Sequence, residues 1–493
     1  MPEPAEGGVW LGIDVGTQSV RCLATERDGN PAGSGSDKLS SRRDGGRHEQ
    51  DPAAWWRALA VACRAAMASV GQRPVLGLAL CATSGTILLT DRDGHPVSAG
   101  LMYDDTRATD EAALSVDAGS ALWARLGYRP QPSWALPKLL WLLKHTPQLP
   151  TGVQLRHQAD YLTGLLTAHP TAADSSHALK TGYDLDEERW PLEVLDKLGV
   201  PAGVLPDVVR PGVRLGEVSP AAADATGIPA GTPVAAGMTD GCAALLGSGT
   251  LTVGSWNSVL GTTLVLKGVT ASRLRDPLGV VYSHRAPDGN WLPGGASSVG
   301  AGVVSAEFPG RDLDELSDRA AERPPSPVAT YPLVSRGERF PFVAPDAERF
   351  TLGEVGDDVD YYASLLRGVA FVERLCFDYL DLLGAATDGT ISLTGGGARS
   401  SYWCQLRADT LGQPVSVPEH AEPAVGMAIL ARAGTGSLGD AAAGMVRRSA
   451  AFDPDANRAA VLTDGYLGLV EELHRRGWLP ETLARHARER CGR

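Results

Sequence analysis

The seven cysteines of this 493-residue chain never form a C-x-x-C pair. A zinc-type cysteine cluster is therefore not expected, and most of the seven, lying in apolar runs, read as buried free thiols. No apolar run reaches the ~18 residues that a membrane helix requires. Basic side chains are outnumbered, 45 against 58 acidic, for a formal charge of −13. A nucleic-acid groove needs clustered Lys and Arg, so that class of partner is excluded. A G-x-x-x-x-G-K-[ST] loop is missing, as is a G-x-G-x-x-G after a strand. Phosphate ligands survive these absences, because backbone N–H groups and a bound metal hold them without basic side chains. The opening "MPEPAEGGVW" is acidic and lacks an apolar core. It does not read as a secretory signal, and a soluble cytoplasmic protein is expected.

What is present is a large apolar fraction, 43%, in a length that suits two or three domains. Strands alternate with helices, which predicts an α/β architecture. In "LGIDVGTQSVRCLATERDGN" an apolar run ends at Asp14, a small-residue turn follows, and a return strand starts at Ser19. "HEQDPAAWWRALAVACRAAMASV" offers Asp51 as N-cap and Pro52 at the first helical position, with Trp55, Leu59, Cys63 and Met67 on one face. "PVLGLALCATSGTILLTDRDG" reads as two strands separated by Thr83, Ser84 and Gly85. Helices fit "SWALPKLLWLLKH", "DYLTGLLT" and residues 361–383. "WNSVLGTTLVLKG" repeats the strand–turn–strand pattern, its Gly261-Thr262-Thr263 resembling Gly16-Thr17-Gln18. Residues 320–350 read as loop, and the charged tail after Arg485 as frayed.

Four segments carry chemistry. Around Gly16, Thr17, Gln18 and Ser19, small side chains let backbone N–H groups converge on an anion, and the hydroxyls add donors. Asp14, just before them, suits Mg²⁺, which takes a carboxylate together with phosphate oxygens. The competing reading is a surface hairpin with a turn Asp. Gly261-Thr262-Thr263 suits phosphates from the other side, or is an ordinary Thr-containing turn. "TGGGAR", residues 394–399, opens a helix whose N-terminus favours anions, or is a flexible turn. Asp240 in "GMTDGCAA" is placed to deprotonate a sugar hydroxyl attacking a γ-phosphate, or to cap the helix behind it.

With "GIDVGTQSVR", "HEQDPAAWW", "GMTDGCAA", "LGTT", "GERFPF" and "LTGGGARSSYWCQLRADTLGQPV", the chain resembles the FGGY family of carbohydrate kinases, in the actin–hexokinase–Hsp70 superfamily, from about residue 9 to about 480. The resemblance implies two ribonuclease-H-like, actin-like ATPase domains flanking a catalytic cleft. The expected boundaries are 7–247, with a returning helix at about 453–480, and 248–452. ATP and Mg²⁺ are implied, with Asp14 at the metal and substrate and Asp240 as catalytic base and substrate contact. Gly16, Thr17, Gln18, Ser19, Gly261, Thr262 and Thr263 are assigned to the phosphates, and Gly396, Gly397, Ser400 and Trp403 to the nucleotide. By its spacing alone Trp403 reads as core.

The Met-His-Gly usual in xylulokinases is replaced by Thr83-Ser84-Gly85, and "YDDTRA" stands for Trp-x-Asp-x-Arg. The Arg-Glu pair of glycerol kinases is missing, and the FGGY tetrapeptide itself does not occur. The combination is most similar to the D-ribulose kinase group, with Ser84 bonding a sugar hydroxyl or merely ending a strand. D-Ribulose is therefore the expected acceptor, with D-xylulose as alternative. A catalytically silent sugar-binding protein would lose Asp14 or Asp240, and both are present. No nucleic-acid or membrane partner is expected; monomer and homodimer both stay open.

Overall fold

Val9–Val15 is a strand of seven residues, every one of them buried. A strand covered on both sides belongs in the interior of a sheet flanked by helices. In the computed structural model, which describes residues 7–146, 148–434 and 436–492, it lies fourth in a six-stranded sheet. The order is Arg214–Glu217, Pro233–Thr239, Val75–Ala82, Val9–Val15, Ser19–Thr25, Pro31–Lys38. Val75–Ala82 runs parallel to Val9–Val15 and to Pro233–Thr239. The strands at Ser19–Thr25 and Pro31–Lys38 return antiparallel.

Helix Pro52–Val70 forms as the sequence predicts. The Asp51 carboxylate accepts the Ala53 N–H at 3.0 Å, Pro52 holds the first helical position, and Trp55, Leu59, Cys63 and Met67 are buried. Gly33 and Gly35 let it lie directly on the sheet. A Cβ there would stand 2.3 Å from the Ala66 carbonyl oxygen and 2.1 Å from that of Ala62. The two strands flanking Thr83–Gly85 both form, but they part company: Val75–Ala82 stays in the six-stranded sheet and Ile87–Thr90 joins a separate five-stranded one. Residues 83–85 therefore cross between two sheets rather than closing a hairpin.

The chain divides into two units. One comprises Met1–Gly249, His284–Trp291 and His420–Arg447; the other Thr250–Ser283, Leu292–Glu419 and Arg448–Arg493. Besides the short stretch His284–Trp291, the segment that rejoins the first unit is 420–447 and not the expected 453–480. Helix Ala456–Arg475 instead buries Leu462, Tyr466, Leu469, Val470 and Leu473 in the core of the second unit. Helix Pro423–Ala433 packs on the first strand and on helix Asp240–Gly247 through small residues. A Cβ on Gly12 would lie 1.7 Å from the Ala424 carbonyl oxygen, and one on Gly426 1.9 Å from that of Ala243.

A seven-stranded sheet is ordered Tyr282–Arg285, Trp291–Ala296, Leu264–Gly268, Trp256–Leu260, Ile391–Thr394, Val415–Pro418, Arg448–Phe452, and all of it but His284, Arg285 and Trp291 belongs to the second unit. The repeat suspected at Gly261-Thr262-Thr263 is structural. In each sheet the turn joins the first two strands of an antiparallel meander, and the first strand pairs in parallel with a later one. Helix Asp358–Leu382 matches the prediction within three residues and runs through the core. The tail is not frayed: Glu481–Arg490 is a helix with Leu483, Ala484 and Ala487 buried, and Arg490 Nε lies 3.2 Å from Asp378. Its alanines pack because the surrounding surface is close, which a count of large apolar residues misses. Among the described residues no helix is long and apolar enough to cross a membrane.

Candidate active site

In the first unit, register brings the two predicted carboxylates to one edge. Asp14 pairs with Cys81, Val15 with Ala82, and Thr239 also with Ala82. Asp14, residues 83–85 and Asp240 thus share the carboxyl ends of three neighbouring parallel strands. In open α/β sheets this edge is where ligands bind.

Asp14 is 8% exposed, and Cys81 Sγ donates to its Oδ1 at 3.5 Å. Burial pushes its carboxyl up to about 6, with Asp240 adding to the rise. A nearby like charge favours the neutral form of an acid, so the two carboxylates sense each other electrostatically. Asp240 opens helix Asp240–Gly247 directly, with no intervening turn, and Thr239 occupies the N-cap position without a side-chain cap bond. The Asp240 carboxylate accepts the N–H of its own neighbour Gly241 at 2.7 Å. The capping reading of Asp240 loses its main support, since the residue is not at the N-cap.

Residues 16–19 form the predicted hairpin turn. The Gly16 N–H donates to the Ser19 carbonyl at 3.0 Å. Gln50 Nε2 donates to the Thr17 carbonyl at 2.7 Å, and the Leu39 N–H to the Gln18 carbonyl at 2.8 Å, so outer strands fix the turn. Gln18 is exposed and Thr17 and Ser19 half-buried. Tyr103 stands near the Thr17 side chain, which works against the rise that burial, then Asp104 and Asp240, impose on its phenol. The "YDDTRA" segment is therefore a buttress. Asp105 is buried and takes the His48 N–H at 2.7 Å and Arg107 Nη2 at 2.7 Å, leaving Tyr103 beside the turn.

Ser84 lies just beyond strand Val75–Ala82. Its Oγ is buried and without a hydrogen-bond partner, while its carbonyl accepts from Lys180 Nζ at 3.2 Å. Sequence reasoning missed Lys138 and Lys180, and it quoted the segment of Tyr103 without giving that residue a role. Only Lys138 left a signal, a lone cation inside the apolar run "ALPKLLWLL". It is fully buried, donates to the Met102 carbonyl at 2.6 Å, and is lowered by burial to about 7.

In the second unit, strands Trp256–Leu260 and Ile391–Thr394 bring the other two predicted segments side by side, with Val259 opposite Thr394. Gly261 and Thr262 accept the N–H groups of Ala301 (2.8 Å) and Gly302 (3.1 Å), which fixes the turn; Thr262 is exposed and Thr263 half-buried. Gly395 takes a φ of +84° and a Cβ on it would lie 2.7 Å from the Leu260 carbonyl oxygen.

Three nucleotide assignments change. Gly396 has open space before it, but a Cβ on Gly397 would meet Leu260 Cδ2 at 2.5 Å, so that glycine serves packing. The glycine run leads into a 3-10 turn, Gly396–Arg399, and helix Ser401–Leu411 starts after it. Ser400 Oγ caps that helix by accepting the Trp403 N–H at 3.2 Å, so its hydroxyl is committed locally. Trp403 is 4% exposed, packs in the core, and donates its indole N–H to the Leu366 carbonyl at 3.2 Å. It presents no face to a nucleotide.

Residues 9–247 match the N-terminal domain of the FGGY family of carbohydrate kinases, and residues 257–434 its C-terminal domain. The chain is 31% identical over 457 residues to a xylulose kinase of Streptomyces coelicolor, covering 90% of this chain and 91% of that one. It is 30% identical over 430 residues to a xylulose kinase of Streptomyces rubiginosus, covering 85% and 86%. The crystal structure of a xyloylose kinase from Brucella ovis superposes with a TM-score of 0.85 at 26% identity, covering 95% of this chain and 99% of that one.

Proposed function

The chain belongs to the FGGY family of carbohydrate kinases, and on that premise we propose that it phosphorylates D-xylulose with ATP. That it is an ATP-dependent sugar kinase follows from the family. The choice of ketopentose is the proposal. The motif pattern around Ser84 favoured D-ribulose; the two Streptomyces relatives, both xylulose kinases, favour D-xylulose instead.

The observation that supports the reaction is the pairing of Asp14 and Asp240 at one sheet edge, beside a buried hydroxyl with no protein partner. Asp240 takes the proton of the attacking sugar hydroxyl. The O–P bond to the γ-phosphorus forms as its bond to the β-phosphate oxygen breaks, and ADP leaves. Asp14 is a buried carboxylate with a second one close by and an amide-bearing turn next to it. Such a set of hard oxygen donors fits Mg²⁺. Asp14 would hold the ion, which when bound neutralises charge on the transferring phosphoryl group. The turns at 16–19 and 261–263 are assigned to the phosphates and Gly396 to the nucleotide.

ADP release measured with D-xylulose, D-ribulose and glycerol tests this. The expected result is the highest kcat/KM on D-xylulose. A higher value on D-ribulose overturns the choice of sugar, and no release with either ketopentose overturns the acceptor class.

A further inference from the structure

The start of helix Asp240–Gly247 is open on its outer side. A Cβ on exposed Gly241 would meet nothing within 4 Å, so packing does not hold the backbone at that residue. The hold comes from behind. A threonine in the N-cap position ordinarily turns its hydroxyl onto the first N–H groups of the helix, yet Thr239 makes no such bond. Its hydroxyl lies instead 3.1 Å from Ser176 Oγ, and its N–H donates to the same oxygen at 3.1 Å. Ser176 Oγ in turn donates to Cys242 Sγ at 3.7 Å. One fully buried hydroxyl thus bonds residues on both sides of Asp240.

Ser176 is itself fixed. It sits in the four-residue helix Ser175–Ala178, too short to hold its place unaided. Asp174 caps that helix, accepting the His177 N–H at 2.9 Å, and its other carboxylate oxygen meets His177 Nδ1 at 2.6 Å. His177 Nε2 meets the Ala82 carbonyl at 3.2 Å. Both ring nitrogens therefore face acceptors, which an imidazolium with two N–H groups satisfies at once. Burial opposes that charge, but the Asp174 carboxylate, with Asp160 adding to it, outweighs burial and raises the ring above its ordinary value. Ala82 is paired with both Val15 and Thr239, and Ser84 follows two places on. Adjacent residues of one short helix are thereby tied to the strand that ends before Asp240 and to the strand that leads to Ser84.

A general base works only within hydrogen-bond reach of the proton it takes. A misplacement of about 1 Å costs on the order of 10²-fold in rate. We propose that Ser176 is a positioning residue for Asp240, holding the general base at a fixed place relative to the Ser84 end of the acceptor site, with the Asp174–His177 pair as its anchor. This rests on the reading of Asp240 as the base of a sugar kinase.

A double-mutant cycle tests it, with Ser176→Ala, Asp240→Asn and the two combined, by steady-state kinetics beside thermal melts. Ser176→Ala should lower kcat roughly 10- to 100-fold and leave KM for ATP unchanged. In the Asp240→Asn background no base is left to aim, and the same change should cost less than about threefold. The melting temperature should fall equally in both backgrounds, because the Thr239 N–H loses its partner in each. Ser176→Thr and Ser176→Val are nearly equal in volume and differ in the hydroxyl. The Thr variant should keep about tenfold more turnover than the Val variant, a comparison that serves if the alanine variant folds poorly. The same loss in both backgrounds, a wild-type kcat in Ser176→Ala, or equal turnover of the Thr and Val variants overturns the role of Ser176 alone. Near-normal turnover of Asp240→Asn by itself overturns the base, and this proposal with it.

Discussion

At Asp14 the fold tolerates a group it would be more stable without. Burial first, and Asp240 second, raise its carboxyl to about 6, so holding it ionised at neutral pH costs the folded state stability relative to the unfolded chain. An asparagine at 14 keeps the shape and removes the charge. Asp14→Asn is expected to melt no lower than wild type, while turnover with Mg-ATP falls on the order of 10²-fold through lost charge stabilisation. Melts beside kinetics at varied Mg²⁺ check this; full turnover at low Mg²⁺ would return Asp14 to a structural turn residue. Asp240→Asn should cost ~10²–10⁴-fold in kcat, the usual worth of a positioned general base, with KM for ATP near normal. Because Thr239 and not Asp240 occupies the N-cap, thermal stability should hardly move. A stable variant with near-normal turnover would exclude Asp240 as base. Trp403 makes the opposite pattern. It is buried and bonded within the core, so Trp403→Ala should lose about 3–5 kcal/mol of stability and leave KM for ATP unchanged. A raised KM in a protein of normal melting temperature would put the ring back at the nucleotide.

Secondary elements were legible where one local rule sufficed. Helix Pro52–Val70 follows from a cap, a proline and a four-residue apolar period, and the two glycine–threonine hairpins follow from small turn residues between apolar runs. What escaped was decided by neighbours distant in sequence. Val75–Ala82 and Ile87–Thr90 read alike, yet their partners place them in different sheets. The helix Ala135–His145 was expected, but the buried cation within it was not singled out. Lys138 has its ammonium lowered to about 7 by burial, although the Asp105 carboxylate works against that. Below pH 7 it is charged in folded and unfolded chains alike, and the folded state carries the full cost of burying that charge. Between 7 and its ordinary value near 10.5 the unfolded chain binds the extra proton, so stability rises with pH. Lys138→Met does not titrate. Its stability relative to wild type should therefore fall by about 1.4 kcal/mol per pH unit across that window. Melts of both proteins at roughly pH 6.5, below the window, and at about pH 8 and 9.5, inside it, check the slope; a pH-independent difference would mean the ammonium is not desolvated.

For the whole molecule, the expected boundary near 247 lies close to the first unit's break at Gly249, but the identity of the returning segment was not legible. Residues 420–447 and 453–480 both contain helices with apolar faces. Pro423–Ala433 is selected by steric fit, because Gly12 and Gly426 allow backbone contacts that any Cβ would block. Such complementarity has no one-dimensional period. It has a consequence for fragments, however. Helix Pro423–Ala433 buries Val425, Met427, Ile429 and Leu430 in the first unit. At roughly 1.5–3 kcal/mol for each such side chain, the four together rival the 5–15 kcal/mol that is typical of whole-domain stability. A fragment ending at residue 249 lacks them and uncovers the surfaces of Val9–Val15 and Asp240–Gly247 that they cover. It should bind a hydrophobic dye and melt without a cooperative transition. Linking residues 420–447 to it should restore a cooperative melt, and linking 453–480 should not, since that helix belongs to the core of the second unit. Cooperative unfolding of the 249-residue fragment with no gain from 420–447 would show that the first unit is complete without its returning helix.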